Sequence, residues 1–154
     1  MPNMEFAPLE KHHLQELYYL MVQQDFPDVP DSYQEAEPYL MDAESFGAFE
    51  NNRLCAGFLF GERTDTSAFI DVVCAPAYHG KWATFHTLSR LYDVAFRQMG
   101  LSFVWAQPRN PRALKAALKA GFLVATSADQ DHEQPYVILT PTRLKARFLK
   151  ALEE

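Results

Sequence analysis

The spacing of apolar residues predicts two helices in the first part of this chain. Between residues 11 and 24, apolar positions recur every three or four residues, as they do along the buried face of an amphipathic helix. After a loop that contains Pro27 and Pro30, Asp31 or Ser32 can cap a second, shorter helix that runs toward Met41. The apolar positions of the first helix are Leu14, Leu17, Tyr18 and Met21.

Three apolar runs come next and predict three strands, at Phe46–Phe49, Leu54–Phe60 and Ala68–Cys74. Residues 50–53 join the first two runs, and the adjacent asparagines Asn51 and Asn52 tolerate the positive φ angles of a tight hairpin turn. Because the links are short, the three strands are expected to form an antiparallel meander, preceded by an extended stretch over residues 4–8.

A long helix is predicted from Lys81 to a glycine stop at Gly100, after a connector over residues 75–80. Its predicted buried face consists of Phe85, Leu88, Tyr92, Ala95, Phe96 and Met99. The later elements are a strand over 102–107, a helix over 110–120, strands near 122–127 and 135–140, and a basic helix over about 142–152. This order predicts an α/β fold with α+β character, in which helices cover both faces of a mixed, mostly antiparallel sheet.

Composition narrows the class of protein. A chain of 154 residues is long enough for one core, so residues 1–154 are expected to form a single domain. The net charge of −6 argues against nucleic acid as a partner, and no apolar run is long enough to span a membrane. Cys55 and Cys74 lie in apolar runs and are expected to be buried free thiols in a reducing, cytoplasmic compartment. The histidines and cysteines show no metal-ligand spacing, so no metal is predicted.

One segment between two predicted strands carries a specific pattern, Asn110-Pro-Arg-Ala-Leu-Lys-Ala-Ala-Leu-Lys-Ala-Gly121-Phe122. Asn110 is suited to cap the helix and Gly121 to end it with a positive φ angle. The spacing resembles the late β-α-β segment of the GNAT N-acetyltransferase superfamily, N-x-x-A-x-x-x-Y-x-x-x-G-F. The chain departs from that pattern at Ala117, where the family usually has the tyrosine that serves as general acid.

The connector before the long helix, residues 74–84, resembles the family pattern V-x-P-x-x-R-G-K-G-x-G. It keeps Pro76 and the pair Gly80 and Lys81, and it departs at three other positions: His79, Trp82 and Thr84. Amides at a helix start favour an anion, and the resemblance implies that this anion is the pyrophosphate of acetyl-CoA or another acyl-CoA. The alternative is an ordinary strand-to-helix turn in which Trp82 packs as a hydrophobic staple. The implied cofactor-binding residues are Cys74, Ala75, His79, Gly80, Lys81, Trp82, Ala83, Thr84 and Asn110.

The resemblance also implies where the chemistry takes place. The backbone N–H of Cys74, at the end of the fourth strand, would stabilise the oxyanion, and any side chain keeps that donor. Relatives often carry a glutamate on this strand, but the matching position here is Ile70. Tyr136 and Glu50 are weak candidates for the missing proton transfer, beside Tyr78 and His79.

The function implied is N-acyl transfer from acetyl-CoA to an unidentified small-molecule or protein amine. The pantetheine arm would lie where the sheet opens between strands 67–74 and 102–107, and a homodimer is expected. Two alternatives stay open: a catalytically degenerate binding or assembly module with this fold, and a different α+β ligand-binding domain.

Overall fold

The structure is a computed structural model that describes residues 4–24, 26, 29–108, 110–125, 136–144, 148 and 150. Its strands are β1 (Glu5–Pro8), β2 (Glu44–Glu50), β3 (Arg53–Gly61), β4 (Ser67–Cys74), β5 (Phe103–Ala106), β6 (Leu123–Val124) and β7 (Val137–Leu139). Its helices are α1 (Lys11–Gln23), α2 (Tyr33–Asp42), α3 (Phe85–Tyr92) and α4 (Pro111–Lys119), with short 3₁₀ turns at Pro76–Tyr78 and Pro141–Arg143.

The seven strands form one mixed sheet in the order β1-β2-β3-β4-β5-β7-β6. The pairs β1/β2, β2/β3, β5/β7 and β6/β7 are antiparallel, whereas β4 and β5 are parallel. The parallel register covers Ser67–Phe69 against Phe103–Trp105, and β4 continues beyond it to Cys74. The predicted order of elements from β1 to β7 and the mixed, mostly antiparallel sheet are confirmed.

Two compact units divide the chain. Unit 1 comprises Met1–Gly61 and Asp71–Thr87, and unit 2 comprises Glu62–Ile70 and Leu88–Glu154. Strand β4 contributes its first half to unit 2 and its second half to unit 1. The assignment of residues 1–154 to a single domain stays a prediction.

Unit 1 is built on close contact between α1 and β3. The side chain of Leu17 is fully buried, and a Cβ atom added at Gly57 would clash with its Cδ1 atom. The lack of a side chain at Gly57 therefore lets the helix lie directly against the strand. The buried residues of this core are Leu14, Leu17, Tyr18, Phe26, Ala36, Leu40, Phe49, Leu54, Leu59 and Val73.

Unit 2 has its own core around Tyr92, which is almost fully buried. The Tyr92 hydroxyl donates a hydrogen bond to the Ala120 carbonyl at 3.1 Å, and its ring meets that of Phe148 edge to face at 5.0 Å. The polar tip of a buried tyrosine thus finds a partner at the end of α4.

The predictions that the two hairpin asparagines have positive φ angles and that both cysteines are buried free thiols are confirmed. Asn51 and Asn52 have φ angles of 52° and 64°, as a two-residue turn between β2 and β3 requires. Cys55 and Cys74 are buried and form no disulfide.

The predicted start of the long helix at Lys81 is wrong, because α3 begins at Phe85. The Lys81 N–H donates to the Tyr78 carbonyl at 2.9 Å and so closes a turn. The Thr84 hydroxyl then accepts a hydrogen bond from the Thr87 N–H at 3.1 Å, which is the bond of an N-cap residue. The helix therefore starts after the threonine.

The predicted buried face of this helix is also partly wrong. After Tyr92 the helix widens into a π-helical segment, Asp93–Gln98, in which the Met99 N–H reaches back to the Val94 carbonyl. A π turn holds more residues than an α turn, so the buried positions change along the segment. Val94, which the prediction left out, is buried within this segment. Before the segment, Phe85, the first residue of α3, is 46% exposed, and Leu91, also left out, is buried.

The strands near the end of the chain are shorter than predicted. β6 and β7 have two and three residues, and residues 126–135 lie outside the described part. The predicted helix over 142–152 begins instead with the 3₁₀ turn Pro141–Arg143. Residues 148 and 150 are helical, and residues 145–147, 149 and 151–152 of that prediction lie outside the described part.

Candidate active site at the end of β4

Two hydrogen bonds hold the peptide group that follows the last residue of β4. The Cys74 carbonyl accepts a bond from Nε2 of Gln24 at 2.6 Å, and the Ala75 N–H donates to the Cys55 carbonyl at 2.9 Å. The Cys74–Ala75 peptide plane is thus fixed from both sides. The Cys74 thiol is buried and donates to the Ala75 carbonyl at 3.4 Å.

The connector from β4 to α3 uses several of its own amides internally. The N–H groups of Tyr78, Lys81 and Thr84 donate to the carbonyls of Ala75, Tyr78 and Trp82 at 2.8–2.9 Å. The His79 N–H makes a longer contact, 3.4 Å, with the Pro76 carbonyl. Within the part of the chain that the structure describes, the amides left without such an acceptor in this connector are those of Ala77, Gly80, Trp82 and Ala83.

Trp82 packs against the sheet. Its ring centroid lies 5.2 Å from that of Phe58, a fully buried residue of β3, with an angle of 59° between the ring planes. The indole itself is half-buried. The side chain that stands where the family has glycine therefore anchors the connector against β3, and the staple of the packing alternative stays a prediction.

Two hydrogen bonds join Thr84 and Thr87 at the start of α3. The Thr84 hydroxyl accepts from the Thr87 N–H and donates to the Thr87 hydroxyl, both at 3.1 Å. The Thr87 side chain is fully buried, so the bond satisfies a polar group that has no access to water. The Thr84 hydroxyl therefore already donates its proton to another side chain of the protein.

A cluster of ionisable groups surrounds Cys55, beside the end of β4. Burial is the main reason why the pKa of the Cys55 thiol is raised. The Tyr78 hydroxyl donates a hydrogen bond to this sulfur, and that bond is the main cause that raises the pKa of Tyr78. The Glu50 carboxylate raises both pKa values, whereas the nearby Arg53 lowers them. The structure thus brings together Glu50 and Tyr78, two of the side chains proposed for proton transfer.

Two further predicted site residues, Asn110 and Tyr136, belong to unit 2, whereas Cys74 belongs to unit 1. Oδ1 of Asn110 accepts from the Ala113 N–H at 2.8 Å, which confirms that this residue caps α4. The ring of Tyr136 lies 5.7 Å from that of Trp105. Gly121 has a φ angle of 107°, as the predicted helix stop requires.

No sequence pattern indicated the contact made by Gln24. It is an ordinary polar residue at the end of a predicted helix, and its partner lies 50 positions away. Nor did the sequence indicate that Cys55 would meet Tyr78. Such pairs become visible only when β3, β4 and the end of α1 have been placed side by side.

In the described residues, no group of three or more histidine, cysteine, aspartate or glutamate side chains could hold a metal ion. No helix in that part of the chain is long and apolar enough to cross a membrane.

The chain belongs to the acetyltransferase (GNAT) family, whose sequence model matches residues 12–122. It therefore represents the class of enzymes that pass an acyl group from acyl-CoA to an amine. The matched region contains the β4–α3 connector and ends at Phe122, so it includes both segments that carried the resemblance. No curated protein matches the chain in sequence.

Solved structures of spermidine N-acetyltransferase SpeG from Vibrio cholerae share the fold. Mutant forms of this spermidine/spermine enzyme align with a TM-score of 0.73 and 16% identity, over 96% of this chain and 97% of theirs. A dodecameric form of the enzyme in an intermediate state aligns with a TM-score of 0.71 and 17% identity, over 90% of this chain and 94% of its own. A complex of the enzyme with manganese ions aligns with a TM-score of 0.71 and 17% identity, over 96% of both chains. At this identity the likeness concerns the fold.

Proposed function

We propose that the protein transfers an acetyl group from acetyl-CoA to an amine of a small cationic molecule of the polyamine class. The observation that carries this proposal is the family match over residues 12–122. The choice of acceptor has two further supports. Proteins of the same fold act on spermidine, and α2 together with its flanks is rich in carboxylates. One of them, Glu37, is already paired with Lys11 at 3.7 Å.

The cosubstrate is proposed to bind at the connector between β4 and α3. The amides of Gly80, Trp82 and Ala83 and the start of α3 would face the pyrophosphate, because a helix start favours negative charge. The Lys81 side chain is exposed and would add a positive charge. Ala75, His79 and Thr84 would line this pyrophosphate-binding site, and Asn110 stays a candidate for binding the pantetheine arm.

The reaction needs one bond formed and one broken. The amine nitrogen attacks the thioester carbonyl carbon, the C–N bond forms, and the C–S bond breaks as the CoA thiolate leaves. The Cys74 N–H would stabilise the oxyanion in between. Glu50, Tyr78 or Tyr136 would accept the proton from the amine or return one to the thiolate. Loss of one such group costs roughly 10²–10⁴ in rate, while positioning continues to accelerate the reaction.

A second candidate is a binding or assembly module that has kept the fold and lost turnover. The observation in its favour is the connector itself, in which the amides of Tyr78, Lys81 and Thr84 serve the loop's own structure. The indole of Trp82 also stands where the family has glycine. Cytoplasmic location, a homodimer, and the absence of metal and nucleic acid stay predictions.

Calorimetry with acetyl-CoA, followed by release of free CoA in the presence of spermidine, lysine peptides or an aminoglycoside, tests both candidates. Binding with turnover of spermidine supports the polyamine acetyltransferase. Binding without turnover of any amine supports the module, and no binding at about millimolar ligand contradicts the proposed cosubstrate site. A Cys74→Ser variant is the control, because it keeps the backbone donor and is expected to retain turnover.

A further inference from the structure

Gln24 connects the end of α1 to the end of β4. Its backbone N–H donates to the Leu20 carbonyl at 3.2 Å and so completes the helix. Its side chain crosses to the strand and donates to the Cys74 carbonyl at 2.6 Å, a short distance for a neutral amide donor. The side chain is partly buried, whereas the adjacent Gln23 is exposed.

The acceptor of this bond belongs to the peptide group next to the proposed oxyanion donor. The Cys74 N–H and the Cys74 carbonyl lie in two peptide planes that meet at one Cα atom, so they rotate relative to each other only through φ and ψ of that residue. The carbonyl plane is held by Gln24 on one side and, through the Ala75 N–H, by Cys55 on the other. These bonds fix the carbonyl plane, so the direction of the Cys74 N–H varies only with the φ and ψ angles of Cys74.

We propose that Gln24 is a positioning residue for acyl transfer, which fixes the last peptide of β4 so that the Cys74 N–H is oriented toward the acyl oxygen. This role rests on the proposed function. A displacement of about 1 Å in a catalytic group can cost on the order of 10²-fold in rate, so the side chain of Gln24 acts without touching the substrate. Because Gln24 also begins the segment leading to α2, the bond ties the side of the molecule proposed for the amine to the strand that carries the oxyanion donor.

The test compares Gln24→Met, which has a similar length and no donor, with Gln23→Met on the exposed neighbouring position. With acetyl-CoA and spermidine as substrates, we expect kcat of Gln24→Met to fall about tenfold, since the hydrogen bond that positions the strand end is lost. The KM for acetyl-CoA is expected to stay within about twofold. Gln23→Met is expected to match the wild type in both constants.

An unchanged kcat in Gln24→Met overturns the proposal, and so does a raised KM for acetyl-CoA with kcat intact, because that pattern indicates a role in binding. An equal loss of kcat in Gln23→Met also overturns it, since the loss then follows from any change at the end of α1. Thermal unfolding of each variant shows whether it is folded. If Gln24→Met does not fold, Gln24→Asn, one methylene shorter, takes its place.

The exchange rate of the Ala75 amide gives a readout that does not need turnover. This N–H lies on the other side of the peptide group that Gln24 holds, and we expect it to exchange about tenfold faster in Gln24→Met. A wild type that does not consume acetyl-CoA contradicts the proposed function alone. In that case an unchanged exchange rate overturns the positioning role, and a faster one supports it.

Discussion

Replacement of Trp82 by alanine tests whether the indole is an anchor of the cosubstrate loop or an obstacle in it. Complete removal of a buried tryptophan costs about 3–5 kcal/mol, and an aromatic pair adds about 0.5–1.5 kcal/mol beyond the area that it buries. Trp82 is half-buried and has one ring partner, Phe58, at 5.2 Å. We therefore expect the free energy of unfolding to fall by about 2 kcal/mol and the melting temperature by about 4–8 °C.

The same variant is expected to bind acetyl-CoA less tightly, by about threefold or more, because two of the proposed pyrophosphate donors are the amides of Trp82 and Ala83. Differential scanning calorimetry measures the first effect, and isothermal titration calorimetry measures the second. Trp82→Phe is the matched control, since it keeps a ring against Phe58 and is expected to recover about half of the lost stability. An unchanged melting temperature would refute the packing argument. Tighter binding of acetyl-CoA to Trp82→Ala would show that the indole obstructs the pyrophosphate-binding site.

Three further changes test separate parts of the structure. Thr84→Ala removes the cap of α3 and is expected to cost about 1 kcal/mol in chemical denaturation, whereas Thr84→Ser keeps the hydroxyl and should cost little. Gly57→Ala places a methyl group against Leu17 and is expected to cost about 1–3 kcal/mol in the same assay; a melting temperature equal to that of the wild type would contradict the close contact. The raised pKa values of Cys55 and Tyr78 mean that their contribution to stability is complete below the ordinary values of 9.0 and 10.0 and decreases as the pH rises above them. The urea midpoint should therefore fall as the pH rises above about 9, and a Cys55→Ala variant with the same fall would contradict this origin.

Local patterns were sufficient to predict the order of the elements. The apolar repeat around Leu17 predicts α1, and the asparagines at 51 and 52 have the positive φ angles of the predicted turn. Asn110 caps α4 as predicted. Each of these features depends on residues that are near neighbours in the chain, where propensity and capping decide the conformation.

The errors lie where tertiary contacts decide. The periodicity of residues 81–99 is compatible with one regular helix, but the turn closed by the Lys81 N–H and the cap at Thr84 move its start to Phe85. The π-helical segment then changes the buried face, and no sequence spacing marks it. The bond between Gln24 and Cys74 depends on the packing of a helix end against a strand end, which no local pattern encodes.

The tight fit between Leu17 and Gly57 has a consequence for turnover. Seven residues of helix, about 10 Å, separate Leu17 from Gln24, and a short helix moves as a rigid rod. A bulkier side chain at position 57 would lift this rod from the sheet, and a shift of about 1 Å would take the amide of Gln24 out of hydrogen-bonding range of its carbonyl acceptor. A glycine buried beneath the helix would then influence the rate of the proposed acyl transfer only through the position of the helix.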